Sequence, residues 1–558
     1  MSLPSVSRAQ DRSVPISSFG LTPGGVLLIA LSLSIGWGIR GNFGHEYGAM
    51  IAGALSALAA CLVAGREDWR RRAAYFAFFG AIGWSFGGSM SYGYVIAYAQ
   101  SGHGPTVIYG FACLFVIGFL WAAVGGAATA LPAILPRRRL TEFFPPLIAV
   151  FIAWTLQDLV VWRLDQTVPD RRHESFLYWY DTDWLSVLTA MAAVLAAAVV
   201  RRRLCPASVM ILFLCVGWWV GFGGLVVLLG LRMCPPRGDS WAGMVGMVAA
   251  MLVWLIRRRL HAAAWAGLVA GVIGGLGFSS AVLFKMIEMK SGYRTNWHSI
   301  LEQTYGFING LGIAAAFGCL AARLPVVDDA PTDPGASAAA LSPRGPAAPE
   351  PRRWTDAFAV FFVLVVITYV NIEKNPEEWV KAKVMPAEMY GLSAWGWFNI
   401  GYLAVAVAAA LLLARHLRTP LALVPASWLG KGQLLYVAFL WWMVVGNFER
   451  ALSGFAPQRL VTEGVILINA VLATVLVLWL PRERLVEATP GPTEAATSGW
   501  RLGRVACWGA VVMIVAVLAQ SGLARAFYGQ TPAEPGHQHF RFGPKAEPAR
   551  PVKGLSHP

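Results

Sequence analysis

Fifteen apolar stretches follow one another along this chain, at 24–39, 48–64, 73–95, 106–131, 144–162, 184–200, 207–231, 241–256, 262–284, 304–322, 356–371, 393–414, 430–446, 459–480 and 503–524. A helix needs about 20 apolar residues to cross the hydrocarbon core of a bilayer, and each stretch meets or approaches that length. The runs are continuous rather than alternating, which excludes an outer-membrane β-barrel. Only 13% of the 558 residues are charged, against about a quarter in a soluble domain. A soluble globular enzyme and a disordered scaffold are therefore excluded. The prediction is an all-α, polytopic helical membrane protein of about 14–15 transmembrane helices, with the lipid bilayer as its first partner.

Orientation follows from the arginines. Clusters at Arg66, Arg70, Arg71 and Arg72, at Arg137–Arg139, at Arg201–Arg203 and at Arg257–Arg259 all fall between an even-numbered segment and the odd-numbered one after it. Arg415, Arg418, Arg482 and Arg484 do the same. Basic loops stay on the cytoplasmic side, so the N-terminus and these loops are expected there. Segments assigned to that side hold 25 Lys and Arg against 12 Asp and Glu, and the opposite side 19 against 18. The net charge of +15 is thus read as an orientation device, and nucleic acid is not expected as a partner. The Ala/Arg-rich composition suggests a bacterial inner membrane.

The expected organisation is a cytoplasmic tail (1–23), a first membrane unit (24–324), a Pro/Ala-rich disordered linker (325–353), a second membrane unit (354–525) and an outer tail (526–558). The seven cysteines form no CxxC or other ligand spacing. They are read as small apolar packing residues. His537 and His539 in the tail have weak metal-binding capacity, against which a disordered tail is the preferred reading; no cofactor is expected.

An internal repeat is suggested between segments 1–4 and 7–10. RRRAAYFAFFGAIGWSFGGS at 70–89 parallels RRRLHAAAWAGLVAGVIGGLGFSS at 257–280, and Tyr109-Gly110-Phe111 parallels Tyr305-Gly306-Phe307. Both copies start on odd segments, which makes the repeat parallel. A weaker echo links Gly41-Asn42-Phe43 to Gly446-Asn447-Phe448. The shared glycines serve either close helix packing or a local break at a binding site. Ser85, Ser89, Ser91, Tyr92 and Tyr94 add polarity to the first glycine-rich segment.

Ionisable residues are costly inside a bilayer, so their placement is informative. The middle of the spans is almost empty of them, and Asp158, Lys285 and Glu463 lie towards the outer ends. The outer loops are rich instead. His298, Glu302, Tyr305 and Asn309, spaced four, three and four residues apart, share one helical face. Trp395 and Asn399 form a similar face, as do Trp154 and Asp158. Such stripes should avoid lipid. His45, Glu46, His298 and Glu302 are candidate acid–base residues. Arg40, Arg232 and Arg294 suit a phosphate or carboxylate. Asp158, Asp239, Trp297, Tyr305, Asn309, Trp395 and Asn399 complete the candidate binding set, in which aromatic faces suit sugar rings.

SWLGKGQLLYVAFLW at 427–441 resembles the late-helix pattern of membrane acyltransferases of the heparan-glucosaminide acetyltransferase type, over 15 residues that include no catalytic group. AGREDWRRR at 64–72 resembles the loop 2–3 signature of the major facilitator superfamily, although the long linker here follows the tenth segment rather than the sixth. Neither resemblance carries residue roles. No Walker A sequence is present, so no ATPase module is expected. The leading expectation is a permease or flippase-like carrier with an outward-opening cavity for a small polar substrate, glycan-like or anionic. The alternatives are a membrane-embedded acyl- or glycosyltransferase acting on a lipid-linked acceptor, and a scaffold for an envelope complex with a protein partner the sequence does not identify.

Overall fold

The computed structural model describes residues 19–44, 46–87, 90, 92–165, 183–231, 240–293, 295–327, 353–418, 430–453, 459–480 and 500–528. In chain order the helices are α1 (Pro23–Phe43), α2 (Glu46–Val63), α3 (Glu67–Arg70), α4 (Ala73–Gly87), α5 (Gly93–Ala99), α6 (Gly104–Ile134) and α7 (Arg137–Leu140). Next come α8 (Phe144–Asp165), α9 (Asp183–Val200), α10 (Pro206–Gly221), α11 (Ser240–Arg257), α12 (His261–Ser291) and α13 (Trp297–Arg323). The last are α14 (Arg353–Phe361), α15 (Ile367–Ile372), α16 (Asn375–Lys381), α17 (Ala394–Arg418), α18 (Lys431–Ser453), α19 (Arg459–Trp479) and α20 (Leu502–Tyr528). A π-helical turn at Phe222–Leu228 extends α10, and another at Phe362–Val366 joins α14 to α15. The strands among the described residues form one hairpin, Glu388–Met389 paired with Leu392–Ser393. Tyr390 and Gly391 both have positive φ at its turn, as a tight two-residue hairpin requires.

The protein is an all-α polytopic membrane protein. Among the described residues twelve helices are long and apolar enough to cross a membrane, and two shorter apolar helices run Tyr47–Val63 and Ala73–Phe86. All fifteen apolar segments of the sequence contain helix. Local signals set the ends. Thr22 Oγ1 accepts from Gly25 N at 3.2 Å and Pro23 opens α1, while Asn296 Oδ1 accepts from Ser299 N at 3.1 Å to start α13. Each satisfies an amide the helix leaves unpaired.

Several helices extend up to seven residues beyond the expected segments, as α13 does at its start (Trp297 rather than 304), and one segment is divided. The third segment, 73–95, is two helices, α4 and α5. Hydropathy continues across it, but Gly87-Gly88-Ser89 lacks helix propensity. Its glycine-rich counterpart α12 runs without a break from His261 to Ser291. The two segments therefore differ, and the internal repeat is not shown.

The glycines of α12 serve packing. An added Cβ on Gly274 would stand 2.8 Å from Gly118 O of α6, and one on Gly267 2.8 Å from Ala123 O. Gly53 of α2 and Gly80 of α4 meet the same way, with Cβ-to-carbonyl distances of 2.3 and 2.5 Å. Small residues let membrane helices approach backbone to backbone. Gly80→Leu is expected to lower stability by about 1–3 kcal/mol or more, whereas Gly503→Leu, with no atom within 4 Å of its Cβ position, should leave thermal unfolding in detergent almost unchanged.

The core is built from α1, α2, α4, α6, α12 and α13. Of the most apolar window of α1, 78% is buried, and of that of α17 none. A helix that is apolar all round belongs in a bundle centre, and α9, α17 and α20 present their apolar faces outward. The α2–α4 connection is fastened by two buried arginines. Arg66 holds Asp68 in a bidentate pair at 3.0 and 2.8 Å and donates to Leu324 O and Pro325 O at 2.5 and 2.7 Å, beyond the end of α13. Arg72 donates to Pro132 O, Leu135 O and Val327 O at 3.1, 3.2 and 2.9 Å. Helix C-termini leave carbonyls unpaired, and these side chains fill that need. Of the expected tails and linker, 1–18, 328–352 and 529–558 lie outside the described residues.

Candidate functional site

The site forms where α1 meets α13. Glycine sets their separation: a Cβ on Gly306 would stand 2.6 Å from Leu33 O, and one on Gly310 2.5 Å from the Ala30 Cα. Ser34 Oγ donates to Gln303 O at 2.9 Å across the contact. This approach places Arg40, in the last turn of α1, against Glu302, in the second turn of α13.

Arg40 Nη1 donates to Glu302 Oε1 at 2.5 Å, with both side chains 2% or less exposed. The same nitrogen donates to Tyr92 Oη at 3.0 Å, and the Tyr92 hydroxyl donates to Glu302 Oε1. The start of α5 therefore joins the site, since Tyr92 immediately precedes Gly93. His298 Nε2 lies 3.1 Å from Tyr92 Oη and 3.3 Å from Glu302 Oε1, and its ring stacks on Tyr92 at 11°. With its own proton given to Glu302, Tyr92 Oη can only accept from His298. Nε2 is therefore the donor to Tyr92 Oη, and in a neutral ring that leaves Nδ1 as an acceptor. The His298 side chain is 40% exposed and connects the buried group to the exterior.

Aromatic rings enclose the guanidinium. Its carbon lies 5.1 Å from the Trp37 ring centroid and 5.7 Å from those of Tyr92 and Trp121. Ring faces attract a cation in a dry setting. Tyr305 packs on Trp37 and Phe278 with centroids 4.8 and 5.0 Å apart, and Asn309 Nδ2 donates to its hydroxyl at 2.9 Å. One carboxylate oxygen, Glu302 Oε2, is buried with no hydrogen-bond partner.

A second buried carboxyl sits at the next residues of α1. Asn42 Nδ2 donates to Asn447 Oδ1 at 2.6 Å and to Glu463 Oε1 at 3.4 Å, and Asn447 Nδ2 donates to Glu463 Oε2 at 2.5 Å. The two Gly-Asn-Phe tripeptides of the sequence thus meet. The α1 tip, Arg40-Gly41-Asn42, joins carboxyls supplied by α13 and α19.

Of the candidate residues, Arg40, His298 and Glu302 come together, and Tyr305 and Asn309 line the α13 face below them. Trp297 opens α13, half-buried, its Nε1 donating to Tyr293 O at 2.8 Å. Trp395 is exposed, and Asn399 accepts from Tyr369 Oη at 2.6 Å, so this stripe packs on α15 instead. Asp158 is exposed on α8. That departs from the expectation that its stripe faces inward, because α8 is a peripheral helix with 22% of its apolar window buried. His45, Arg232, Asp239 and Arg294 lie outside the described residues, as does the side chain of Glu46, the first residue of α2.

The candidate set omitted Tyr92, Trp37, Trp121, Asn42, Asn447 and Glu463. Tyr92 stood out as polar in an apolar segment. Trp121 lies deep in α6, where tryptophan is unusual because it prefers the membrane interface. An apolar groove of about 440 Å³ lies between α8 and α9, lined by Leu156, Gln157, Val160 and Leu185 among others, and includes none of the charged group. Among the described residues no three His, Cys, Asp or Glu side chains gather as a metal site would need. Compared with protein-family models, curated proteins and solved structures, the chain matches none, so the geometry alone carries the functional reading.

Proposed function

We propose that the chain is a membrane permease for a polar solute, with Arg40, Tyr92, His298 and Glu302 as its binding or gating group. The buried Arg40–Glu302 pair is the observation that carries this reading. Burying two charges removes their hydration, and an apolar pair of similar volume often stabilises a fold better. Ionisable residues kept among apolar helices characteristically mark a solute or ion pathway. The pair also bridges helices 262 residues apart in sequence, so relative movement of α1 and α13 must break or remake it. The arginine distribution favours an inner-membrane orientation with this end away from the cytosol.

The test is uptake by reconstituted vesicles from a panel of polar and anionic solutes. Wild-type protein should accumulate at least one of them, and Glu302→Gln, which keeps the shape and removes the charge, should lower that uptake by roughly tenfold or more. Unchanged uptake in the variant removes the pair from the mechanism.

The His298 geometry favours a second reading, a transferase at the same membrane face. With Nε2–H directed at Tyr92 and Glu302, Nδ1 of the neutral ring would be the nitrogen that takes a proton from an acceptor hydroxyl. Group transfer to a lipid-linked acceptor, abolished by His298→Ala, together with no solute uptake, would replace the permease reading.

A further inference from the structure

Glu302 uses its two oxygens unequally. Oε1 receives Arg40 and Tyr92 and lies beside His298, while Oε2 is buried and has no hydrogen-bond partner. A buried carboxylate oxygen without a donor is rare and costly, so Oε2 keeps its capacity to accept one more hydrogen bond.

The approach to it is visible at Gly41. A Cβ built there would stand 3.1 Å from Glu302 Oε2 and 3.6 Å from the carboxyl carbon, its nearest contacts among the described residues outside its own helix turn. Gly41 is exposed and lies within α1. It is not among the positive-φ glycines, so its backbone does not require glycine. With no side chain at Gly41, the backbone at the exposed end of α1 lies directly over Oε2. The other Glu302 oxygen, Oε1, is engaged by Arg40 and Tyr92, with Trp37 and Trp121 packed around the Arg40 guanidinium.

We propose that Glu302 Oε2 receives a hydrogen-bond donor of the solute, an ammonium or a hydroxyl, which reaches it over Gly41. An ionised carboxylate only accepts, so a solute enters donor first and an anion without a donor is refused. The bond is charge-assisted and short. Among the described residues, the other charged and polar groups near this end include Arg40 and His298 on Oε1, the Asn42–Asn447–Glu463 set, Lys374, which donates to Phe43 O at 2.8 Å, and Arg450, 5.5 Å from the Phe43 ring centroid. The proposal rests on the permease reading only in calling the bound molecule a transported solute.

The experiment measures thermal unfolding of the full-length protein in detergent with methylammonium, glycerol or glucose. Tetramethylammonium, which has no donor, and sodium chloride at equal ionic strength are the references. Methylammonium or the polyols should raise the Tm of the wild type, and tetramethylammonium should not. The arm that responds separates an ammonium from a hydroxyl ligand. Gly41→Ala should fold with an unchanged or higher Tm and weaken the responding solute roughly tenfold or more. Gly41→Ser places a hydroxyl where it can occupy Oε2 itself and should abolish the response, which keeps the test readable if the alanine variant folds poorly. Gly401→Ala, with no atom within 4 Å of its Cβ position, controls for a general helix effect and should respond like wild type. Equal stabilisation by tetramethylammonium, an unweakened response in both Gly41 variants, or no stabilisation by any donor overturns the proposal. Gly41-dependent binding without uptake would overturn the permease reading alone, and uptake indifferent to Gly41 would overturn the Oε2 site alone.

Discussion

Glu302→Leu is expected to cost about 3–5 kcal/mol of unfolding free energy, because it takes the carboxylate from a guanidinium held away from water. Arg40 is 2% exposed, so the charge must then be hydrated by local opening or stay buried beside a leucine. The paired variant Arg40→Met with Glu302→Leu removes both charges and should regain most of that loss, since the apolar side chains suit the ring of Trp37, Trp121 and Tyr305. A double-mutant cycle on denaturant unfolding in detergent measures this. Two single losses that simply add would show that the pair is not coupled in the folded protein. The double variant should fold yet fail in uptake, which separates the pair's role in stability from its role in function.

The second large effect concerns a neighbour pair in the sequence, Arg71 and Arg72. Arg72 is fully buried and donates to three carbonyls, from Pro132, Leu135 and Val327. Arg72→Leu leaves those acceptors without this donor, and hydrogen bonds to charged groups contribute about 1.5–3 kcal/mol each. A loss above about 3 kcal/mol is expected even after partial rehydration. Arg71 is exposed and pairs with Glu67 at 3.1 Å as an i,i+4 surface contact, so Arg71→Leu should change stability by less than about 1 kcal/mol. Both substitutions remove one positive charge from the same loop. If orientation were the whole purpose of this cluster, unfolding of the two variants would look alike.

The sequence made the class of fold legible because hydrophobic length is set by the bilayer and needs no partner. It also made the α13 stripe legible, since residues three and four apart share a helical face whatever lies opposite. What lay opposite was not legible. Arg40 could be read against Glu46, six residues on, but its partner Glu302 comes from a helix whose approach depends on Gly306 and Gly310 fitting the backbone of α1. Tyr92 needed the division of one apolar segment into α4 and α5, and hydropathy does not register that division. The arginine clusters were read as topology alone. The capping by Arg66 and Arg72 depends on where the ends of α6 and α13 fall in space.

The meeting of Asn42 with Asn447 and Glu463 has a consequence for how the chain is assembled. Ser32 bonds Tyr436 at 2.6 Å, Tyr75 bonds Thr355 at 2.8 Å, and Asn371 reaches Tyr47 O at 3.1 Å. All of these join residues before 328 to residues after 352. The later helices are thus addressed to the earlier ones by matched polar groups. Two polypeptides made separately, one on each side of 328–352, would carry the complementary groups that select their docking.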